Sequence, residues 1–271
     1  MLVYRILTGL SIAAICAAIL FLFAPWAFAI LVAVFITLGL NEFFTLIDSK
    51  QLGVHKKLGI ILGLALALGT YFDYKMPPDW FFIFIPAICL LIFIIQFTKR
   101  DNRAVLSISA ILFGLLYVAW FLSFMIRIRA MPLAGETSQR LLIAYLILVT
   151  KSGDIGAYFI GSKLGRHSLI PRISPKKTVE GALGGLIFSV LVSLICRAFL
   201  PLFSLRHLLI LGLSLGVLAQ IGDLSESLIK RDCGVKDSGR TLPGLGGVLD
   251  TIDSLLFTAP VFYFYVKALI Q

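Results

Sequence analysis

The sequence predicts an all-α polytopic membrane protein of about nine transmembrane helices with a cytoplasmic N-terminus. Three observations carry this. Of the 271 residues, 59% are hydrophobic and 14% are charged, whereas soluble domains run about 45–50% apolar and about 25% charged. The apolar residues lie in long continuous runs, and a bilayer core about 30 Å thick needs roughly 20 of them per helix. Finally, the 24 Lys and Arg residues are unevenly spread between successive polar segments. This composition excludes a soluble globule, a disordered chain, a collagen and a disulfide scaffold. The runs do not alternate, so no β-barrel is implied.

The spans read as 6–24, 26–47, 58–74, 80–97, 104–126, 141–161, 181–200, 208–228 and 248–270. The first is read as a span rather than a cleaved leader, because a second apolar run follows at once. Pro25 and Trp26 make a turn of the kind favoured at a membrane interface. The third span is short and Gly-rich. With nine spans, one set of polar segments holds 16 of the 24 basic residues and the alternate set holds 7. Lys151 lies inside a span. The positive-inside rule places the richer set, including 163–177 and 230–240, in the cytoplasm. Residues 1–140 then form an N-terminal group of helices, and 141–271 a C-terminal catalytic region. No internal repeat supports an inverted-repeat transporter. Cys16, Cys89 and Cys196 sit in apolar runs, and no Cys/His cluster suggests zinc.

Eight of the fourteen acids fall between 150 and 255: Asp154, Glu180, Asp223, Glu226, Asp232, Asp237, Asp250 and Asp253. Four clusters there carry chemistry. Lys151-Ser-Gly-Asp154 interrupts the sixth span, as either an internal ion pair or a polar functional site, because charge at membrane depth is costly. Ser174-Pro-Lys176-Lys177-Thr178-Val-Glu180 precedes the seventh span, where two ammonium groups and a helix N-terminus suit an anion. There Thr178 has a second reading as an N-cap, and Glu180 as a favourable charge at the helix start. Asp223, Glu226 and Lys230 share one helical face at i, i+3 and i+7. Residues 236–253 combine a Gly-rich loop with Asp250 and Asp253, spaced i, i+3. Close backbone approach to an anion and a carboxylate pair for a hard cation such as Mg²⁺ suit phosphoryl or nucleotidyl transfer. No Walker A or kinase Gly-loop pattern occurs.

The order Ser227-x-Ile229-Lys230-Arg231, Lys236-Asp237-x-Gly239, Leu242-Pro243, Gly246-Gly247-Val248-x-Asp250-x-Ile252-Asp253 resembles the defining pattern of phosphatidate cytidylyltransferases. Asp154-x-Gly-Ala-Tyr158 and Ser174-Pro-x-Lys-Thr-x-Glu-Gly181 are similar to flanking stretches of that family. The resemblance implies an enzyme converting CTP and phosphatidic acid to CDP-diacylglycerol and pyrophosphate. It implies Mg²⁺, with K⁺ as a second cation, a homodimer, and residence in the cytoplasmic (inner) membrane with a cytoplasm-facing site. Membrane lipid is a partner and nucleic acid is not. Carried over residue by residue, Asp223, Lys230, Arg231, Lys236, Asp237, Asp250 and Asp253 are the catalytic set. Asp223, Asp250 and Asp253 bind metal. Asp154, Ser174, Lys177, Thr178, Glu180, Glu226, Gly239, Gly246 and Gly247 bind substrate. Leu245 and Thr251 depart from the pattern, which has His and Arg there. Three other readings stay open: a CTP-dependent lipid-alcohol kinase, a catalytically silent relative, and an ion-coupled transporter.

Overall fold

The computed structural model describes residues 2–50, 53–73, 80–98, 103–133, 135–200 and 203–270. The chain divides into two compact units. One comprises residues 1–127 and 237–249, the other 128–236 and 250–271. The Gly-rich loop groups with the N-terminal helices in this division.

The first unit contains α1 (Leu2–Leu22), α2 (Pro25–Asp48), α3 (Lys56–Tyr71), α4 (Trp80–Gln96), α5 (Ala104–Gly114) and most of α6 (Phe121–Arg129). Pro25 opens α2, where its missing N–H costs nothing. A π-helical stretch, Leu115–Trp120, joins α5 to α6, so 104–129 runs as one long helix. Gly63 and Gly114 let α3 and α5 lie against α2; a Cβ at Gly114 would stand 2.8 Å from Phe44. Ile36, Leu40, Phe43, Phe44, Ile111 and Val118 are fully buried there.

The second unit holds α7 (Glu136–Leu164), a hairpin of β1 (Ser168–Ile170) and β2 (Ser174–Thr178), α8 (Val179–Ile195), α9 (Leu205–Asp232) and most of α10 (Val248–Ile270). The hairpin is antiparallel and irregular, pairing Ser168 with Thr178 and Ile170 with Ser174. It is a small addition to the all-α architecture. Small residues bring α7 and α8 together, as close helix packing in a bilayer requires. A Cβ at Gly185 would lie 2.9 Å from the Gly153 carbonyl oxygen, and one at Gly181 equally close to that of Ala157. The hydroxyls of Tyr145 and Ser193 meet at 2.6 Å, and Ser193 donates to the Leu208 carbonyl, tying α7, α8 and α9.

Six helical runs among the described residues are long and apolar enough to cross a membrane: Pro25–Asp48, Ala104–Arg129, Glu136–Leu164, Val179–Ala198, Leu205–Asp232 and Val248–Ile270. Two shorter apolar helices, Leu7–Leu22 and Ile83–Gln96, accompany them. On α8, Leu183, Ile187, Leu191 and Ile195 form an exposed i, i+4 stripe. Leu209, Leu213, Val217 and Ile221 do the same on α9. Large apolar stripes pointing outward mark a lipid-facing surface, so the chain is a multi-pass helical membrane protein. Tyr74, at the end of the third span, and Lys75, Lys99 and Arg100, which enter the charge asymmetry, lie outside the described residues.

Candidate active site

In the second unit the charged residues of three helices converge. The Lys151–Asp154 segment is the internal ion pair that was one of its two readings: α7 continues through it to Leu164. The reason is local. Lys151 Nζ lies 3.0 Å from Asp154 Oδ2, an i, i+3 pair on one helix face. The ammonium also donates to Ser254 Oγ at 2.7 Å, and Ser254 donates on to Asp154 Oδ2 at 3.1 Å. The Ser254 amide donates to Asp253 Oδ1. Thus Lys151 stands one residue behind Asp253.

On α9, Asp223 forms an ion pair with Lys177 of β2 at 2.6 Å. Glu226 and Lys230 pair one turn apart at 2.5 Å, and Lys230 also binds Asp250 of α10. Gly222 makes the crossing of α9 and α10 possible, since a Cβ there would lie 2.5 Å from the Asp253 carbonyl oxygen. The result is a cluster in which one oxygen each of Asp223, Glu226 and Asp253 lies within 4.8 Å of the others. Glu226 is 1% exposed, and its Oε1 has no hydrogen-bond partner among the described residues.

This redistributes the expected roles. The sequence groups Asp223, Asp250 and Asp253 as cation ligands and gives Glu226 to substrate. The structure groups Asp223, Glu226 and Asp253, and places the Lys230 ammonium on Asp250. Helical geometry explains it. Glu226 shares the face of Asp223, whereas Asp250 lies one turn before Asp253 and reaches Lys230. Three carboxylates at this spacing could hold a hard cation such as Mg²⁺.

A cavity of about 490 Å³ opens beside the cluster. Asp154, Lys176, Lys177, Thr178, Gln220 and Asp223 line its polar side, with Ala157, Tyr158, Leu169 and Leu224 among its apolar walls. Ser174 begins β2 and does not line it. Thr178 serves as the N-cap of α8, its Oγ1 accepting the Gly181 amide at 3.2 Å. Glu180 accepts the Arg166 and His167 amides and meets the His167 ring at 2.6 Å, holding the start of the hairpin. Arg231 donates to the carbonyls of Ile173 and Val235 and braces the hairpin tip. Lys236 is exposed.

Asp237, Gly239, Gly246 and Gly247 belong to the first unit. The carboxylate that this loop surrounds is Glu42 of α2. Glu42 accepts from Thr241 Oγ1 at 2.6 Å, the Leu249 amide at 2.8 Å and Ser238 Oγ at 3.4 Å. A Cβ at Gly239 would stand 2.5 Å from Glu42 Oε1, and one at Gly247 2.5 Å from Oε2. The close approach read as room for a phosphate is taken, at these two glycines, by an internal carboxylate. Sequence reasoning passed over Glu42. The available signal was an acid inside the 26–47 span, which must find donors. Gln220, which donates to the Ala182 carbonyl at 2.9 Å, and Ser254 were also passed over.

Lipid-facing helices around a carboxylate cluster, paired ammonium groups and a largely apolar cavity with one charged side define a polytopic membrane enzyme. The family model described as "Cytidylyltransferase family" matches residues 3–269, and the chain belongs to that family. A phosphatidate cytidylyltransferase of Bacillus subtilis is 35% identical over 277 residues, covering 96% of each chain. One from Synechocystis is 35% identical over 275 residues, covering 93% of this chain and 92% of its own. Escherichia coli YnbB, whose printed description is an uncharacterized protein, is 39% identical over 191 residues, 70% of this chain and 64% of its own.

Proposed function

We propose that the chain transfers the cytidylyl group of CTP to the phosphate of phosphatidic acid, forming CDP-diacylglycerol and releasing pyrophosphate. One observation carries the reading: the cluster of Asp223, Glu226 and Asp253, flanked by Lys177 and Lys230, beside the 490 Å³ cavity. Family membership and the names of the full-length relatives support it.

A lipid phosphate oxygen attacks the α-phosphorus of CTP. A new P–O bond forms, the bond from the α-phosphorus to the bridging oxygen breaks, and pyrophosphate carries away the electron pair. Such transfers depend mostly on positioning and on charge neutralisation. A phosphate monoester is already a nucleophile near neutral pH, so the absence of His at Leu245 removes no indispensable base. Asp223, Glu226 and Asp253 would hold Mg²⁺, with K⁺ as the second cation. Bound there, the metal supplies positive charge against the phosphate oxygens. Lys177 and Lys176 meet anionic oxygens in the cavity. Lys230, locked between Glu226 and Asp250, keeps those acids paired. Gln220, fixed by the Ala182 carbonyl, lines the wall between α8 and α9. In this reading the site faces the cytoplasm from the inner membrane, about nine helices span the bilayer, and two copies form a homodimer.

The test is a product assay. Purified protein with CTP, phosphatidate and Mg²⁺ should yield CDP-diacylglycerol and pyrophosphate in equal amounts, and Asp253→Asn should abolish both. Release of CDP would instead indicate a CTP-dependent lipid kinase. Undiminished activity of Asp253→Asn would overturn the role of the carboxylate cluster.

A further inference from the structure

We propose that Lys177 competes with a bound divalent cation for the Asp223 carboxylate, and that the ammonium displaced in this way takes a substrate phosphate in the cavity. The proposal deepens the cytidylyltransferase reading above and rests on it for the identity of that phosphate. Every residue involved belongs to the second unit.

Lys177 is held differently from the other two ammonium groups beside the carboxylates. Lys151 has both Asp154 and Ser254. Lys230 has both Glu226 and Asp250, the first of them one turn away on its own helix. Lys177 comes from β2 and meets α9 through Asp223 alone, at 2.6 Å. Its Nζ is enclosed and has no other polar partner among the described residues. An ammonium has three N–H donors, and a single carboxylate contact leaves most of that capacity unused.

Asp223 faces two ways. One of its oxygens lies within 4.8 Å of oxygens of Glu226 and Asp253, and its side chain also lines the cavity with Lys176 and Lys177. The charges joined through these contacts are five carboxylates, Asp154, Asp223, Glu226, Asp250 and Asp253, and three ammonium groups, Lys151, Lys177 and Lys230. The formal excess is two negative charges, which repels a phosphate and which one divalent cation cancels. Once Asp223 shares such a cation with Glu226 and Asp253, its attraction for the Lys177 ammonium falls. Lys230, losing part of Glu226 in the same way, still has Asp250. Lys177 has no second acid among the described residues. Its charge sits on a flexible four-carbon stem, and that side chain already lines the cavity beside the exposed Lys176. The displaced ammonium therefore turns to the anion that enters there. The phosphates of CTP and of phosphatidic acid present the same chemistry to it.

Lys177→Met removes the competitor, so it should tighten the cation and weaken the substrate. The first measurement is Mn²⁺ binding to the full-length protein in detergent without substrate, followed by electron paramagnetic resonance; Mn²⁺ takes the same oxygen ligands as Mg²⁺. The Lys177 and Asp223 side chains are 26% and 37% exposed. Lys177→Met should therefore lower the Mn²⁺ dissociation constant about two- to fivefold, the scale of a partly exposed ion pair. Lys176→Met removes an equal charge from the same cavity without touching the acids, and should leave that constant in place. Lys177→Arg, whose planar fork grips a carboxylate more firmly, should raise it, and decides the matter if Lys177→Met does not fold. The second measurement is the separate KM for CTP and for phosphatidate at saturating Mg²⁺. Lys177→Met should raise at least one of them about tenfold, the effect of losing a hydrogen bond to a charged group. A rise for CTP assigns the ammonium to the nucleotide, and a rise for phosphatidate assigns it to the lipid. Mn²⁺ binding unchanged or weakened in Lys177→Met, or tightened equally in Lys176→Met, would overturn the competition. Tighter Mn²⁺ binding with both KM values in place would overturn the phosphate role. Failure of the wild-type chain to convert CTP would overturn the functional reading alone, because Mn²⁺ binding is read without substrate.

Discussion

Replacing Lys230 with Met should damage the protein more than neutralising the acid it holds. The Lys230 side chain is 11% exposed and lies between Glu226 at 1% and Asp250 at 16%. Deleting the ammonium leaves two acids beside each other with their shared cation gone. Removing one partner of a buried pair costs about 3–5 kcal/mol, because the remaining charge is stranded. Glu226→Gln keeps a carbonyl oxygen for Lys230 and leaves Asp250 in place, so its cost is about 1 kcal/mol. In the double variant the stranded Glu226 charge no longer exists. Its loss should fall short of the sum of the single losses by roughly 1–3 kcal/mol. Unfolding free energies from SDS titration in mixed micelles, without nucleotide, would measure all four corners of the cycle. Additivity to within about 0.5 kcal/mol would refute the reasoning, since contacting residues do not behave independently.

The redistributed carboxylates give a second prediction. Glu226→Gln should raise the Mg²⁺ concentration that supports half-maximal CDP-diacylglycerol formation. Asp250→Asn should instead lower the rate at saturating Mg²⁺ and leave that midpoint in place. Gly222→Ala should press a methyl group into the backbone of α10 at Asp253. A stability loss of about 1–3 kcal/mol should accompany a fall in activity, seen by thermal unfolding and product assay. Arg231→Lys should loosen the hairpin tip, because one ammonium does not reproduce the fork that meets both Ile173 and Val235. Faster hydrogen exchange over 168–178 would report it.

The sequence made the helices legible because their apolar runs are long and continuous. The stripe of Asp223, Glu226 and Lys230 was legible because α9 stays helical to Asp232. The Lys151–Asp154 pair was legible as an i, i+3 pair on one helix face, and that spacing meets the cost of charge in a span without disturbing the helix. What escaped has physical reasons. The hairpin rests on five residues, Ser174–Thr178, that include a proline and two lysines and lack the alternation of a half-buried strand. The π-helical stretch at Leu115–Trp120 leaves no mark in an apolar run. Glu42 was hidden by distance, since its partners lie about two hundred residues away and no local spacing announces them. The glycines at 239 and 247 were noticed, and their neighbour was not.

The placement of the counter-charges bears on biogenesis. The Lys151–Asp154 pair lies within a single turn of α7, and Glu226 with Lys230 within a single turn of α9. Each of these two pairs therefore enters the insertion machinery already neutralised, whereas Asp223 of α9 takes its partner from Lys177 of β2. Glu42 has no such arrangement. Its helix is made first, whereas Ser238, Thr241 and the Leu249 amide emerge roughly two hundred residues later. Through that interval the Glu42 carboxylate of α2 lacks those three donors. A nascent chain cut short before residue 238 never supplies the missing donors.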